Sequence, residues 1–295
     1  MVIIISREGQ FANRILHASS FIVNAKEHNY KVLHLFFDDY YPVFSEKLGK
    51  KKDLINIWGK KKTNLVFFCQ QVLSFVIRIF LRLRIKKLPL FEIIEYKKYG
   101  QETVFFDLNR DEFVQKAKSK LVLVYGWLFK DPENLKKHKE LLLEIWQPNT
   151  SYLVNVEYYF RKYKRDHDVL VGVHVRRGDY KIFEGGKWFY TPDQYYEKMK
   201  EIASLERFRD KRIAFVVCSN ERDLSLPDTD KFSIFNEERH FAEDIFLLSK
   251  CDYIIGPPST FSIWASFYGD VPLYLIDDVN RPVSKEDFRK NIIEI

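Results

Sequence analysis

The sequence contains few cysteines, glycines and methionines: 3, 11 and 2 of its 295 residues. Three widely spaced cysteines, an odd number, exclude a disulfide framework and a CxxC metal clip, and they favour a reducing compartment. The low glycine content, together with 46% hydrophobic residues, excludes collagen-like and disordered chains. A chain of this length is expected to fold as one large domain or as two of ordinary size.

A hydrophobic export signal is also missing from the first residues. The apolar run Val2–Ile5 is followed at once by Ser6 and Arg7, whereas a secretory signal needs a longer apolar region and a cleavage site. No G-x-G-x-x-G fingerprint follows this run, because residues 6–13 contain a single glycine, which disfavours a nucleotide-sugar epimerase or hydrolase. We therefore expect a cytoplasmic protein that is neither a nucleotide-sugar epimerase nor a nucleotide-sugar hydrolase.

Positive charge exceeds negative charge, with a net charge of +7 at pH 7. Such a balance indicates a partner rich in phosphate, which is a nucleotide, a nucleic acid or an anionic membrane surface. Nucleic-acid binding is not favoured, because the lysines are scattered along the chain, the aromatic residues occupy periodic apolar positions, and no RNA or DNA motif is present.

One stretch, Leu65–Ile85, is long enough to span a membrane but carries three arginines, which a spanning helix rarely accepts. At helical period its polar residues fall on one stripe and its apolar residues occupy the rest of the surface. Two interpretations remain open: a core helix whose polar stripe faces water, or an interfacial helix beside anionic lipid. The stripe comprises Gln70 or Gln71, Ser74, Arg78, Arg82 and Lys86.

Short apolar runs alternate with helical patterns in both halves of the chain, which is typical of βα units and predicts the α/β class with parallel sheets. A break at residues 147–150 places a domain boundary nearby, to within about ten residues. The predicted strands are Val2–Ser6, Lys31–Phe36, Val169–Val175, Arg212–Cys218 and Tyr253–Gly256. The predicted helices include Phe11–Glu27, Asp193–Leu205 and Ala242–Lys250.

The strongest local feature is Val169–Tyr180, which reads VLVGVHVRRGDY. A continuous apolar run that ends in charged residues predicts a buried parallel strand whose carboxyl end projects polar groups into a ligand-binding crevice. Strand alternation puts His174 and Arg176 on one side and Arg177 on the other. The planar fork of arginine suits pyrophosphate oxygens. The alternative is a structural salt bridge in which Asp179 neutralises an arginine.

A second motif, residues 251–270, reads CDYIIGPPSTFSIWASFYGD. It predicts a short strand, a tight turn at two prolines, and a helix that Ser259 or Thr260 caps. Free backbone N–H groups at the helix start, with the nearby hydroxyls, form a seat for an anion. The alternative is an ordinary capped helix with an aromatic core face. The hydroxyls belong to Ser259, Thr260 and Ser262.

Together the two motifs carry a family resemblance. Residues 174–180, HVRRGDY, followed by residues 244–267, DIFLLSKCDYIIGPPSTFSIWASF, resemble the paired motifs of the inverting α-1,2-fucosyltransferases. These enzymes form a branch of the α-1,2, α-1,6 and protein O-fucosyltransferase group. Residues 9–32 are similar to the glycine loop and helix with which the family opens. Residues 45–165 show little that matches.

The resemblance implies a GT-B architecture, in which two Rossmann-like domains face each other across a cleft. Residues 1–155 would form the acceptor-side domain, and residues 156–295 the domain that binds the GDP-sugar donor. The implied activity is inverting transfer of L-fucose from GDP-fucose to a galactoside hydroxyl, in α-1,2 linkage, on a surface glycan such as O-antigen or capsule. A lipid-linked acceptor and a place at the inner face of the cytoplasmic membrane fit this activity. An α-1,6 or α-1,3 linkage stays open.

The resemblance also implies roles for single residues. By motif position, Arg176 contacts the donor pyrophosphate and His174 the nucleoside side. Asp244 matches the carboxylate that reads guanine, whose N1 and exocyclic amine both donate hydrogen bonds. Asn13 matches the loop that faces the fucose or the acceptor, next to Arg14. The phosphate loop corresponds to Ser259, Thr260, Phe261 and Ser262.

Several positions depart from the family pattern. Ala12 and Arg14 replace the usual glycine and glutamine of the opening loop. Pro257 and Pro258 stand where a small residue and asparagine are usual, and Ile263 stands where tryptophan is frequent. These changes concern acceptor and sugar contacts more than the pyrophosphate site.

Departure of GDP develops negative charge on the β-phosphate, which a metal or fixed cations must stabilise. Arg176, Arg177 and the helix start near Ser259 are expected to do this without a metal or another cofactor. Two Asp-x-Asp triplets, of the kind that binds metal in other glycosyltransferases, begin at Asp166 and Asp228. Both are expected to be solvated loop carboxylates.

An inverting displacement also needs a base for the acceptor proton, and a carboxylate within hydrogen-bond reach is the usual choice. Glu184 lies five residues after Asp179, where a related α-1,6 enzyme type places a catalytic glutamate. Asp179 is the second candidate, although holding an arginine or the loop suits it better. A surface loop acid remains the alternative for Glu184.

Overall fold

A computed structural model describes residues 1–7, 9–50, 53–57, 63–96, 105–221, 224–227 and 229–290. The chain divides into two compact units, Met1–Asn149 and Thr150–Ile295. The division falls inside the predicted break at residues 147–150 and a few residues before the expected boundary at 155/156. The reason is that Thr150 begins a helix that packs against a helix of the second unit.

The first unit contains a parallel sheet whose described strands follow the order β3-β2-β1-β6-β4, and β5 pairs with β7 beside it. Its strands are β1 (Val2–Ile4), β2 (Val32–His34), β3 (Ile55–Ile57), β4 (Phe91–Glu95), β5 (Phe106–Asp107), β6 (Leu121–Tyr125) and β7 (Phe129–Lys130). Its helices are α1 (Phe11–His28), α2 (Tyr41–Leu48), α3 (Asn64–Arg82), α4 (Asp111–Ser119), α5 (Pro132–Lys137) and α6 (Lys139–Ile145).

The second unit contains another parallel sheet, in the order β10-β9-β8-β11-β12. Its helices are α7 (Thr150–Lys164), α8 (Pro192–Ala203), α9 (Phe241–Leu248) and α10 (Thr260–Gly269). Its strands are β8 (Val169–Val175), β9 (Ile213–Ser219), β10 (Ser233–Phe235), β11 (Tyr253–Gly256) and β12 (Leu273–Leu275). Short 3₁₀ turns at Gly178–Lys181 and Phe183–Gly186 follow β8.

The central strands of the second unit are buried on both faces, as a parallel sheet covered by helices requires. Gly172 in β8 makes room for a helix, because a Cβ there would lie 2.4 Å from the Leu248 side chain. The start of α8 is fixed by a capping box between Thr191 and Gln194, with Pro192 in the first turn. Such a cap stabilises a helix by about 1 kcal/mol.

The predicted α/β organisation is confirmed element by element. Strands 169–175 and 253–256 have the predicted bounds, and the other predicted elements shift at their ends by a few residues. The predicted strand Val2–Ser6 is shorter and ends at Ile4, and the Ser6 hydroxyl beyond it donates to the carbonyl of Gly126.

The helix predicted over Leu65–Ile85 is confirmed as α3, and its exposed surface carries more than the expected polar stripe. Gln70 is 2% exposed and donates to the carbonyl of Leu35 at 2.9 Å and to Asp38 at 3.1 Å. Large apolar side chains of α3 are exposed together with Gln71, Arg78 and Arg82 of the stripe. The helix therefore presents apolar as well as polar side chains to water. No helix among the described residues is both long and apolar enough to cross a membrane.

Candidate active site

The sheet of the second unit reverses its strand order between β8 and β11. From β8 the chain moves outward to β9 and β10 on one side, and β11 and β12 lie on the other side. In open α/β sheets, ligands bind outside the carboxyl ends of the strands at such a reversal. The two sequence motifs follow β8 and β11, and these strands are direct neighbours from Tyr253↔Val171 to Ile255↔Val173. The fold therefore brings both motifs to one place.

His174 and Gly256 form the floor of this place. A Cβ on Gly256 would lie 2.8 Å from the carbonyl oxygen of His174, so only glycine allows this approach of the two strands. The His174 ring is 4% exposed and tilts against Phe261, with ring centroids 4.9 Å apart. Burial, assisted by Arg176, lowers the pKa of His174 to about 3. The imidazole is therefore neutral at physiological pH.

Arg176 supplies a permanent positive charge at the carboxyl end of β8. Its side chain is 15% exposed, donates to Asp179 at 2.9 Å and lies over the Tyr180 ring, 5.7 Å from the centroid. Asp179 is half exposed. The salt bridge considered from the sequence is present, and it orients the guanidinium through an exposed carboxylate rather than through a buried one.

The start of α10 follows β11 directly. The Ser259 hydroxyl caps this helix by accepting from the N–H of Phe261 at 3.3 Å. Thr260 is half buried, whereas Ser262 is fully buried and donates to the carbonyl of Ser259 at 3.1 Å. The hydroxyl of Ser262 therefore holds the turn. The first-turn amides and the helix dipole give this position affinity for an anion.

Tyr180 connects the two motifs, and sequence reasoning did not single it out. Its hydroxyl donates to the carbonyl of Pro258 and interacts with Ser259. Its ring stacks on Phe183, with centroids 5.3 Å apart. The loop after β8 is thereby fastened to the start of α10. The only available signal was a tyrosine at the end of the HVRRGDY motif.

Arg177 points elsewhere. Its guanidinium donates to the carbonyl of Tyr190 at 3.0 Å, pairs with Glu221, and lies over the Phe189 ring. Its backbone N–H donates to the side chain of Asn220 at 3.1 Å. The predicted alternation along the strand explains the separation from Arg176. The structure gives Arg177 partners within the loops and does not bring it to the start of α10.

Asp244 lies in the first turn of α9, next to the end of β9, and is 6% exposed. A buried arginine that the sequence analysis missed, Arg239, contacts it at 2.9 Å and donates to the carbonyl of Val217. Burial raises the pKa of Asp244 to about 6, and Arg239 opposes that rise. The Cys218 thiol, in register with His174, donates to the carbonyl of Asp244. Asp244 is thus one strand away from His174.

Glu184 lies in the loop that Tyr180 fastens. It is exposed and has a left-handed backbone with φ +47, and Gly185 and Gly186 follow with φ +69 and φ +80. A left-handed conformation costs a residue with a side chain about 1 kcal/mol. The loop therefore carries this carboxylate on a constrained backbone.

In the first unit, the predicted acceptor-side residues lie at the start of α1. Gly9 has φ +66, and a Cβ there would meet the side chain of Asn13 at 2.4 Å. Arg14 is buried and donates to the carbonyls of Gly9 and Phe36 and to Asp39. Asn13 is half buried. Arg14 thus holds the opening loop in place.

Within the described ranges, no cluster of three or more His, Cys, Asp or Glu side chains could hold a metal ion. Asp168 of the first triplet accepts from the backbone N–H of Arg212 at 2.9 Å, and Asp166 pairs with Arg165. This triplet lies at the amino end of β8, which is the opposite edge of the sheet from Arg176. Asp228 of the second triplet lies outside the described residues.

Comparison with known proteins identifies the family. The family model described as "Glycosyl transferase family 11" matches residues 56–290, most of the chain. The chain belongs to glycosyl transferase family 11. The family resemblance inferred from the two motifs is thereby confirmed.

Two curated relatives are similar to this member of family 11. The O-antigen biosynthesis glycosyltransferase WbnK of Escherichia coli is 24% identical over 186 residues, which is 60% of either chain. The galactoside alpha-(1,2)-fucosyltransferase 1 of Mus musculus is 33% identical over 104 residues, which is 33% of this chain and 27% of the mouse protein. The matched part thus spans less than two thirds of the length of each relative.

Solved structures with a similar fold come from fucosyltransferases. A mutant of Arabidopsis thaliana FUT1 in complex with GDP has a TM-score of 0.59 at 16% identity, covering 93% of this chain and 70% of the plant chain. Fucosyltransferase NodZ from Bradyrhizobium has a TM-score of 0.55 at 12% identity, covering 96% of both chains. These likenesses confirm the expected α/β fold of the GT-B type with two Rossmann-like domains.

Proposed function

We propose that this family 11 protein transfers L-fucose from GDP-fucose, with inversion, to a galactoside hydroxyl. The proposed linkage is α-1,2, and the proposed acceptor is a surface glycan with terminal galactose, such as O-antigen or capsule. The observation that carries the proposal is the place of Arg176 and the start of α10 at the reversal between β8 and β11. Family membership and the functions named for the two relatives support the choice of sugar and acceptor.

The donor diphosphate would bind between Arg176 and the first turn of α10. As GDP leaves, negative charge grows on the β-phosphate, and a guanidinium with fixed amides is suited to stabilise it without a metal. Thr260 and the backbone amides would contact the phosphate. Ser259 and Ser262 would keep the turn in place, through the hydrogen bonds to Phe261 and Ser259.

The nucleoside would lie towards His174 and Asp244. A neutral imidazole at the sheet edge can accept or donate a hydrogen bond without placing a second positive charge beside Arg176. The carboxylate of Asp244 would accept from N1 and the exocyclic amine of guanine, with Arg239 holding it in place. In this assignment residues 150–295 form the donor domain, and residues 1–149 bind the acceptor through the loop of Asn13 and Arg14.

The proton of the acceptor hydroxyl needs a base. Asp179 already accepts from Arg176, so its carboxylate is engaged in orienting the guanidinium. We therefore assign the base to Glu184, which is exposed on the loop that Tyr180 fastens. Asp179 is then a positioning residue for Arg176.

The test of the activity is GDP release from a panel of GDP-sugars with a terminal β-galactoside acceptor, in the presence of EDTA. Release from GDP-fucose alone is the expected result, and product NMR then distinguishes an α-1,2 from an α-1,3 or α-1,6 linkage. Release that EDTA abolishes would contradict the metal-free chemistry. A protein that does not bind GDP at all would contradict the donor class.

The test of base recognition is the substitution Asp244→Asn. The variant is expected to lose affinity for GDP while its affinity for inorganic pyrophosphate stays close to that of the wild type, because pyrophosphate lacks the guanine. Isothermal titration calorimetry with both ligands makes the comparison. Equal weakening of the two ligands would remove Asp244 from the guanine site.

A further inference from the structure

One face of α3 exposes a row of large apolar side chains. Their spacing of three or four residues places them on the same side of the helix. The exposed fractions include 63% for Phe68, 65% for Phe75 and 63% for Leu83. The row comprises Leu65, Phe68, Val72, Phe75, Ile79 and Leu83, and we call it the outer row of α3.

The opposite face of the same helix fixes its orientation. Ile77 is buried and packs in a cluster with Leu35 and Ile93. Gln70 donates to a backbone carbonyl and to Asp38 within the same buried layer. With one face held by hydrogen bonds and core packing, the helix cannot rotate to bury the outer row. The exposure of the row is therefore a property of the folded unit.

An exposed row of this kind indicates a partner. Monomeric proteins rarely leave contiguous apolar patches of more than a few hundred Å² in water, and larger ones mark protein or membrane contacts. No helix among the described residues qualifies as a membrane span, and the arginines of this helix are residues that a spanning segment rarely carries. The partner that remains is a surface on which the helix lies flat.

The charge of the residues around α3 indicates which kind of surface the helix contacts. Residues 54–91 contain no Asp or Glu. Arg78 and Arg82 are exposed beside the outer row, and Arg84 follows the helix. A second copy that used the same row would bring these arginines into a shared interface without a carboxylate from the segment to neutralise them. Anionic lipid headgroups supply the missing negative charge along with an apolar interior.

We propose that the outer row of α3 docks this protein on an anionic lipid surface, with Arg78 and Arg82 at the headgroups and the apolar side chains at the acyl boundary. Membrane helices of this type lie in the plane of the interface and combine apolar burial with cationic contacts. The proposal concerns the first unit alone and does not depend on the identity of the sugar donor or acceptor.

The test is flotation of the full chain with phosphatidylcholine vesicles, with and without phosphatidylglycerol. The wild type is expected to bind the vesicles that contain phosphatidylglycerol and to bind pure phosphatidylcholine much less. The double variant Phe68→Ser, Phe75→Ser is expected to lose at least about tenfold in partitioning. The variant Arg78→Gln, Arg82→Gln is expected to lose about fivefold for each arginine, with the loss restricted to anionic vesicles.

The control variant is Val154→Ser, Tyr158→Ser, because these side chains on α7 are each 61% exposed and lie outside the outer row. It is expected to bind like the wild type. Circular dichroism on every variant establishes that the fold is retained. Equal binding by the wild type and the Phe68, Phe75 variant would overturn the proposal. A second combination of results would also overturn it. In that case neither protein binds anionic vesicles, and in sedimentation velocity the wild type is a dimer that this variant converts to a monomer.

Discussion

Both sheets reverse their strand order beside their first strand, although their last two strands lie in opposite order, and they use the arginine near this reversal differently. In the first unit, Arg14 follows β1 and donates to the carbonyls of Gly9 and Phe36 in a buried position. In the second unit, Arg176 follows β8 and donates to the half-exposed Asp179. The first arginine stabilises its own loop, whereas the second is oriented at the sheet edge. A similar strand reversal thus provides a structural cation in one unit and a candidate ligand-binding cation in the other.

The helices at the two strand reversals, α1 after β1 and α10 after β11, differ in the same sense. The first residue before α1 is Gln10, whose side chain does not cap the helix. The residue before α10 is Ser259, whose hydroxyl does cap it, with Thr260 next to it. A start rich in hydroxyls and amides suits phosphate oxygens. The difference teaches that the strand reversal marks a possible site, and that the side chains at the edge decide whether it binds a ligand.

The largest expected effect comes from Arg176→Ala. Turnover of GDP-fucose should fall by about a few hundredfold, because one preorganised donor to a developing oxyanion contributes about 3 to 4 kcal/mol. The free energy of unfolding should change little, since Asp179 is half exposed and keeps its hydration. Initial rates of GDP release and a urea titration measure the two quantities. Turnover within about threefold of the wild type would contradict the ligand-binding role of Arg176 and with it the contrast to Arg14.

The matching change in the first unit, Arg14→Ala, should act on stability. It leaves the buried carbonyl of Phe36 without its donor and removes the partly buried hydrogen bond to Gly9, and such a loss costs about 1 to 3 kcal/mol. Urea unfolding measures the change. A variant as stable as the wild type but unable to bind GDP would reverse the roles given to the two arginines.

Acid should weaken both units, because each buries a neutral histidine. Burial lowers the pKa of His174 to about 3 and that of His17 to about 4. The unfolded chain binds a proton below about pH 6.5 and the folded chain does not, so the stabilising contribution is complete above that pH and declines below it. From pH 7 to pH 5 each histidine should account for about 2 kcal/mol of lost stability.

The measurement for this pH effect is the free energy of unfolding of His174→Gln and His17→Gln at both pH values. Between pH 7 and pH 5, each variant should lose about 2 kcal/mol less of its free energy of unfolding than the wild type loses. A pH dependence identical to that of the wild type in either variant would show that its imidazole is already protonated in the fold.

A smaller effect is expected where β8 and β11 approach each other. Gly256→Ala places a Cβ 2.8 Å from the carbonyl of His174, and such overpacking costs about 1 to 3 kcal/mol. Because the two strands carry the site, GDP affinity should fall as well. Gly185→Ala is the control, since its φ of +69 is strained but no atom lies within 4 Å of the added Cβ. If both variants bound GDP equally well, the close approach of the two strands would not contribute to the GDP site.

The smallest effect on activity is expected for Arg177→Gln. Its guanidinium is engaged by Tyr190 and Glu221, so removal should lower stability by about 1 kcal/mol and change turnover by less than about threefold. Parallel rate and urea measurements against Arg176→Ala provide the check. A loss of turnover as large as that of Arg176→Ala would indicate that Arg177 also contacts the donor.

The sequence was sufficient to predict the second unit's edge because its signals are local. The apolar run Val169–Val175 can only be a buried strand, and Tyr253–Gly256 followed by Ser259 is a strand, turn and capped helix. Since parallel strands end at the same edge, the polar termini of these two neighbouring strands lie together in the fold. Family membership then agreed with this expectation.

Other features depend on contacts between distant residues, and the sequence pattern did not contain them. Arg239 reaches Asp244 and Val217 through the packing of α9 on β9. Arg14 is held by Phe36, which lies in another element. The helix α3 is apolar on most sides, so periodicity could not tell which side the core covers; Gln70 is inside because Leu35 and Asp38 accept its hydrogen bonds.

The most direct test of the central claim is a calorimetric titration of GDP into the wild type, Arg176→Ala and Asn13→Ala. These variants alter the edge of the second sheet and the edge of the first. The account predicts that Arg176→Ala weakens GDP binding by at least about tenfold, whereas Asn13→Ala leaves it unchanged. Unchanged affinity in Arg176→Ala together with a loss in Asn13→Ala would place the nucleotide on the first unit and contradict the account.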